Sequence, residues 1–396
     1  MTGPERRASA SLAAIFALRM LGLFLVLPVF ALEASRLPGG DDAIRVGWAM
    51  GLYGLAQALL QIPFGVASDR WGRKPTIVVG LLVFALGSAV AAGAPDLTWL
   101  AVGRALQGAG AISAAVTAFL ADVTRDGVRT KAMAIIGGSI ALMFATSLVL
   151  APLLAALVGL SGIFALTTGL ALLGIAVVIW WAPPEPVIEA PGAQRPITDW
   201  GVVLRDPALL RLNLGVFVLH AVQLAMWMAV PAMLVQAGLS QPEHWRVYLP
   251  AVLVSLLLMG GLLFPMERRG YLRGAFLFAV ALLVLVQLAL WALVQPGAAP
   301  SVWTLGGVLL LFFTSFNMLE ASQPSLVSRL APAAARGAAL GLYNTLQSLG
   351  FFVGGALGGW LVHAHGPSGL FVVCAVAAML WLVVAWPMSA PARSPA

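Results

Sequence analysis

Charge is scarce in this chain, and its densest cluster has the makings of a reversible latch. Only 9% of the 396 residues are charged, yet Asp69-Arg70-Trp71-Gly72-Arg73-Lys74 holds four charges in six positions. Gly65 before it and Gly72 inside it permit a tight turn and close backbone approach. Arg70 or Arg73 can reach Asp122, at the end of a later apolar run, through charge-assisted hydrogen bonds in a partly dry interface. The plainer reading is a basic cluster that only sets topology.

Four further ionisable groups fall inside apolar runs, where a charge costs about 2.5–3.5 kcal/mol even on the lenient insertion scale. Glu320, flanked by Asn317 and Gln323 at helical spacing, is the one carboxylate expected within the hydrocarbon region, where it can load and unload a proton. The alternative is a Glu that stabilises a helix interface. His220 shares a helix face with Gln223 and Trp227, so the three could line a cavity, His220 as a pH-sensitive group and Trp227 as a platform for a flat or cationic ligand. Equally, His220 could simply hydrogen-bond a neighbouring helix. Arg19 and Arg104 are candidates for proton coupling, against snorkelling or pairing at a helix face. Phe24, Trp48, Tyr53, Met226 and Phe316 suit an apolar or mildly polar ligand, as they would suit helix packing.

Such positions require membrane-crossing helices. Hydrophobic residues make up 61% of the chain and mean hydropathy is +0.97. Long uncharged runs recur from end to end, and in lipid only helices satisfy every backbone group within a single run. Twelve spans are expected, at 10–32, 44–66, 75–93, 97–121, 132–158, 161–182, 208–236, 244–264, 271–295, 301–328, 337–364 and 367–388. The first reads as an uncleaved span, too long for a signal-peptide core and carrying Arg19 inside it. With the amino terminus inside, seventeen of the 22 Lys and Arg fall on one side and three, Arg36, Arg45 and Arg246, on the other. The positive-inside rule then puts both termini in the cytoplasm.

Three parts follow: an amino-terminal six-helix bundle over 1–182, a cytoplasmic linker over 183–207 broken by Pro183, Pro184, Pro186, Pro191 and Pro196, and a carboxy-terminal six-helix bundle over 208–396. The halves repeat. Asp69-Arg70-Trp71-Gly72 is echoed by Glu267-Arg268-Arg269-Gly270, each just past the second span of its half. Gly138 and Pro152 in the fifth span, with small residues between and after them, correspond to a glycine series including Gly350 and Gly354 in the eleventh, positions suited to close helix packing.

The stretch Gly65 to Lys74 fits G-x-x-x-D-R-x-G-R-K at every specified position, and with twelve spans in two halves the chain resembles the major facilitator superfamily. Arg104, Gln107, Gly108 and Gly110 resemble that family's R-x-x-Q-G-x-G motif, and Arg19-Met20-Leu21-Gly22 with Pro28 is similar to the YajR-type branch of its drug:proton antiporters. Relatives there can carry a soluble carboxy-terminal domain; this sequence stops at Ala396 soon after its last span, so no function of such a domain is carried over. The resemblance implies that Asp69 meets the amino terminus of the eleventh span, near Arg336 and Gly337, where unpaired N–H groups favour an anion. Together with Arg70, Arg73, Lys74 and Asp122 it would latch the cytoplasmic side shut. The family's antiporters typically place glycines around a Gly-Pro pair in the fifth span; here Ser147, Ala151, Ala155 and Ala156 replace them, so antiport is favoured over symport on Gly138 and Pro152.

The sequence has no G-x-x-x-x-G-K-[ST] loop for ATP, no H-E-x-x-H or Cys/His cluster, and no G-x-S-x-G nucleophile. The expectation is an all-α membrane protein that is no enzyme and needs no cofactor or metal. It would be a monomer in the bacterial inner membrane whose partners are a small-molecule substrate, protons and the lipid bilayer, not nucleic acid. Its function would be proton-coupled efflux of small amphiphilic or drug-like molecules by alternating access. Export of a sugar or other metabolite, or a non-transporting membrane sensor of the same fold, are the alternatives.

Overall fold

A computed structural model of the protein describes residues 1–185, 200–332 and 335–388. Most of the expected linker, 186–199, lies outside these residues, as does Arg393. The chain divides into two compact units, Met1–Arg195 and Pro196–Ala396.

In the first unit, α1 (Gly3–Phe24), α2 (Phe30–Ala34), α3 (Ala43–Trp71), α4 (Arg73–Ala92), α5 (Leu97–Ala109), α6 (Ser113–Asp122) and α7 (Asp126–Trp180) follow in order. α1 packs along α7, α4 lies against α5 and α7, and α3 packs on α5. Their largest apolar cluster includes Leu12, Ile15, Ile77, Ile112 and Phe119, all inaccessible to solvent. The second unit runs α8 (Trp200–Arg205), α9 (Pro207–Gln236), α10 (Trp245–Arg268), α11 (Leu272–Leu293), α12 (Val302–Leu330) and α13 (Arg336–Ala385). There α9 packs along α13, which also meets α11, while α12 bridges α10 and α11.

Among the described residues, ten helices are long and apolar enough to cross a membrane, and the two of fifty residues, Lys131–Trp180 and Arg336–Ala385, count twice. Each breaks at one glycine, Gly159 and Gly366, with the same dihedrals, φ 66° and ψ −175°. Only glycine adopts that geometry without strain, so the expected boundaries 158/161 and 364/367 fall at these two residues. Identical breaks at matching places are the plainest structural trace of the duplication.

Several expected elements differ in detail. The first span starts earlier, at Gly3, because Thr2 and Glu5 form a reciprocal capping box. It then breaks after Phe24 and resumes as α2 at Phe30, across Pro28. The fourth span is two helices, α5 and α6, with Gly110 leaving helical geometry between them at φ −77°, ψ 56°. Pro152 is accommodated inside α7, and the non-helical residue of that helix is Gly159.

Glycine packing is uneven. A Cβ on Gly350 would lie 2.5 Å from Phe217 O, and one on Gly354 2.3 Å from Ala221 O, so α13 meets α9 backbone to backbone. The close packing expected at Gly138 and Gly65 is not found. A Cβ on Gly138 would meet nothing within 4 Å, and one on Gly65 only Ala114 Cβ at an ordinary 3.7 Å.

Candidate functional sites

The charged stretch after the second span is mostly helix. α3 continues through Asp69 and Arg70 to Trp71, and the turn is the single residue Gly72, at φ 101°. Four residues past Asp69, Arg73 can therefore fold back along the end of α3. Its Nε donates to Asp122 Oδ2 at 2.7 Å, and its Nη1 to Asp69 Oδ1 at 2.7 Å and Ser68 Oγ at 2.6 Å. One guanidinium, 11% exposed, thus holds two carboxylates from α3 and α6 that would repel each other without it. Of the two arginines expected to reach Asp122 it is Arg73 that does, while Arg70 makes no ion pair among the described residues.

Sequence reasoning missed the acid on the other side of this turn. Glu185 accepts from the backbone N–H of Arg73 at 3.1 Å and of Lys74 at 2.6 Å, capping the amino terminus of α4. Lys74 Nζ donates to Ala182 O at 3.0 Å, and Arg7 Nε to Trp181 O at 3.3 Å. The end of the sixth span is thereby clamped onto the signature loop. In the second unit Arg273 Nη2 donates to Trp386 O at 2.6 Å in the corresponding place, and Arg329 pairs with Glu267. In that second pair acid and base have exchanged positions relative to Asp122 and Arg73. Outside the spans, Arg125 is pushed above the usual arginine range by the Glu5 carboxylate bonded to it.

A second cluster sits inside the first unit. Arg19 is inaccessible to solvent and Arg104 is 1% exposed. Arg19 Nη2 donates to Tyr53 Oη at 3.0 Å, Gln57 Oε1 at 3.1 Å and Gly110 O at 3.2 Å, the last a carbonyl freed from the helix ladder by the break after α5. Arg104 Nη1 donates to Gln107 Oε1 at 2.8 Å, and its guanidinium lies 4.9 Å from the centre of the Tyr53 ring. Tyr53, expected in a substrate cavity, is the shared partner of two cations. Phe24 stacks edge-on against Phe144 at 5.2 Å.

The third cluster is in the second unit. His220 on α9, Glu320 on α12 and Gln347 on α13 meet, with His220 Nε2 2.7 Å from Gln347 Nε2 and 3.3 Å from Glu320 Oε2. Gln347 Nε2 also reaches Glu320 Oε1 at 3.5 Å. Glu320 was expected to be buried; its side chain is 40% exposed, with Oε2 the enclosed oxygen. His220 Nδ1 lies 2.9 Å from Val216 O, and since a carbonyl cannot donate, Nδ1 carries the hydrogen. In neutral imidazole Nε2 is then an acceptor, filled by Gln347. Glu320 Oε2 lies beside the same nitrogen, so carboxylate, imidazole and amide meet at one polar contact. Gln347 carried no signal in the sequence beyond being polar in an apolar run.

Of the other cavity candidates, Phe316 lies edge-on to His220 with ring centres 5.9 Å apart. Asn317 Nδ2 donates to Ser255 Oγ at 2.9 Å, away from the histidine. Gln223 and Trp227 are buried within their own unit, Trp227 edge-on to Tyr248 at 5.6 Å, so neither forms the open platform expected. Of two cavities of about 530 and 490 Å³, the one between α11 and α12 is lined by none of the candidates, and the one beside Arg45 and Asp96 by Trp48 alone among them.

Twelve crossings in two repeats, with ionisable side chains gathered on the helices, define a multi-pass membrane transporter. The chain belongs to the Major Facilitator Superfamily, whose model matches residues 10–355 and 266–396. It is 42% identical to the inner membrane transport protein YajR of Escherichia coli over 99% of this chain and 85% of that one. It is 27% identical to the multidrug resistance protein MdtH of Yersinia enterocolitica over 86% and 83% of the two chains. Among solved structures it is similar to a D-xylose–proton symporter, with TM-score 0.75, 16% identity and coverage of 97% and 98%. Members of this family move small molecules and are not enzymes.

Proposed function

We propose that the protein exports small amphiphilic or drug-like molecules across the inner membrane in exchange for protons. The observation that carries this reading is the trio His220, Glu320 and Gln347, a half-exposed carboxylate 3.3 Å from a buried imidazole nitrogen that Gln347 also contacts. A proton entering down the gradient releases about 2.3 kcal/mol per 100 mV of membrane potential, which suffices for uphill export without a nucleotide. The names of the relatives YajR and MdtH, a transport protein and a multidrug resistance protein, support the same direction. Arg73, bridging Asp69 and Asp122, is the first unit's contribution to a latch that alternating access would close and open.

The test is proton movement into proteoliposomes loaded with a pH dye, screened over lipophilic cations, antibiotics, organic acids and sugars. Wild-type protein should give substrate-driven proton flux, and Glu320→Gln should abolish it while folding normally. A variant with an unchanged pH profile would reject Glu320 as carrier, and silence of folded wild type would reject proton coupling.

A further inference from the structure

Arg19 and Arg104 leave an imbalance that the protein does not correct. Both are buried, and among the described residues neither meets a carboxylate. Each finds only neutral partners, namely Tyr53, Gln57, Ser113 and the Gly110 carbonyl for Arg19, and Gln107 for Arg104. A buried charge is costly unless paired, and a helix-packing role would be met by neutral glutamines without that cost. Hydrogen-bonding capacity is also unspent. Arg19 Nε and Arg104 Nε have no partner, and Gln61, one turn beyond Gln57 on the same face of α3 and 2% exposed, satisfies neither of its amide atoms.

We propose that the Arg19–Tyr53–Arg104 cluster is a binding site for the anionic head group of the transported amphiphile, a carboxylate or sulfonate. Arg19 at the Tyr53 hydroxyl and Arg104 against the Tyr53 ring each keep an unpartnered Nε donor for an oxyanion, and the carboxamides of Gln57 and Gln61 add polar wall. Phe84, with its ring centre 5.6 Å from the Arg19 guanidinium, and Phe30, 5.8 Å from that of Arg104, cover the cluster and supply apolar surface for the rest of the molecule. The site is shut in this structure, so a ligand reaches it when these covering rings move. Calling the ligand a substrate rests on the proposed export function; its charge does not.

The experiment compares matched triplets on benzyl, naphthyl and dodecyl scaffolds, each as carboxylate, carboxamide and ammonium, binding to the purified full chain in phosphatidylcholine vesicles. Carboxylates should bind at least about 10-fold tighter than the amides and the ammonium forms not at all, one charge-assisted bond in a dry site being worth that factor. Arg19→Gln should weaken the carboxylates by about 10-fold and leave the amides unchanged, and Arg19→Lys should restore part of the loss. Equal affinity across a triplet, preference for ammonium, absence of binding on every scaffold, or equal loss of amide and carboxylate in Arg19→Gln overturns the proposal. So does full competition by chloride or by vesicles of anionic lipid alone, which would mark a resident ion or lipid head group. Anion-selective binding without proton movement would leave this inference standing and remove the proton-coupled reading.

Discussion

At the scale of single residues, the signature loop is organised by an acid that its motif does not contain. Asp69, Gly72 and Arg73 were legible because their spacing is fixed by a helix end and a turn. Glu185 was not, since it lies 112 residues from the amide it caps and sits among prolines that read as a linker. It also accounts for Gly72 twice over. That residue needs φ 101°, and a Cβ there would lie 2.7 Å from Glu185 Oε2. An anion at a helix amino terminus is worth up to about 1 kcal/mol at such a site, equivalent to about fivefold in the population of the opened turn. Glu185→Gln should therefore speed hydrogen exchange at the Arg73 and Lys74 amides by about fivefold while the rest of α4 stays protected. Unchanged exchange at those two amides would show that the carboxylate does not cap the helix.

At the scale of elements, hydropathy revealed nearly every crossing because lipid leaves a polar-poor chain of this length no alternative to helices. What it concealed were interruptions made of small residues. Gly110 splits the fourth span without any loss of hydrophobicity, whereas the breaks at Gly159 and Gly366 fall at boundaries that the run lengths had already placed. Small residues in a span are likewise ambiguous, since they mark close packing only where a neighbour is present. Gly354 and Gly138 were read alike, yet a Cβ meets backbone at 2.3 Å in the first case and nothing within 4 Å in the second. Gly354→Leu should force α13 from α9 and destabilise the protein by about 1–3 kcal/mol or more, as overpacked cores do, with a lower thermal midpoint in detergent. Gly138→Leu should change that midpoint little. If both variants melted alike, backbone contact at Gly354 would not be what holds the two helices together.

At the scale of the whole molecule, charge and duplication are read from the same residues. The seventeen basic residues assigned inside include both clamps, Lys74 on Ala182 O and Arg273 on Trp386 O, so the groups that tie each loop to its unit also weight that face positively. Arg19 and Arg104 are the two of the 22 Lys and Arg assigned to neither side, which is why the sequence could single them out but not say what they hold. Orientation follows from this asymmetry and can be measured directly. Cys374 is the one cysteine and is buried, so a Cys374→Ala background is silent to thiol reagents. In that background a membrane-impermeant maleimide should label Ala298→Cys, exposed between α11 and α12, on intact spheroplasts. Arg205→Cys, exposed at the end of α8, should label only after lysis. Each basic residue near a span end biases it toward the cytoplasm, so a margin of seventeen to three predicts a single orientation. Labelling in the opposite order would place the Arg73 cluster and the Glu185 cap outside the cell, and the latch would then close the wrong face of the membrane.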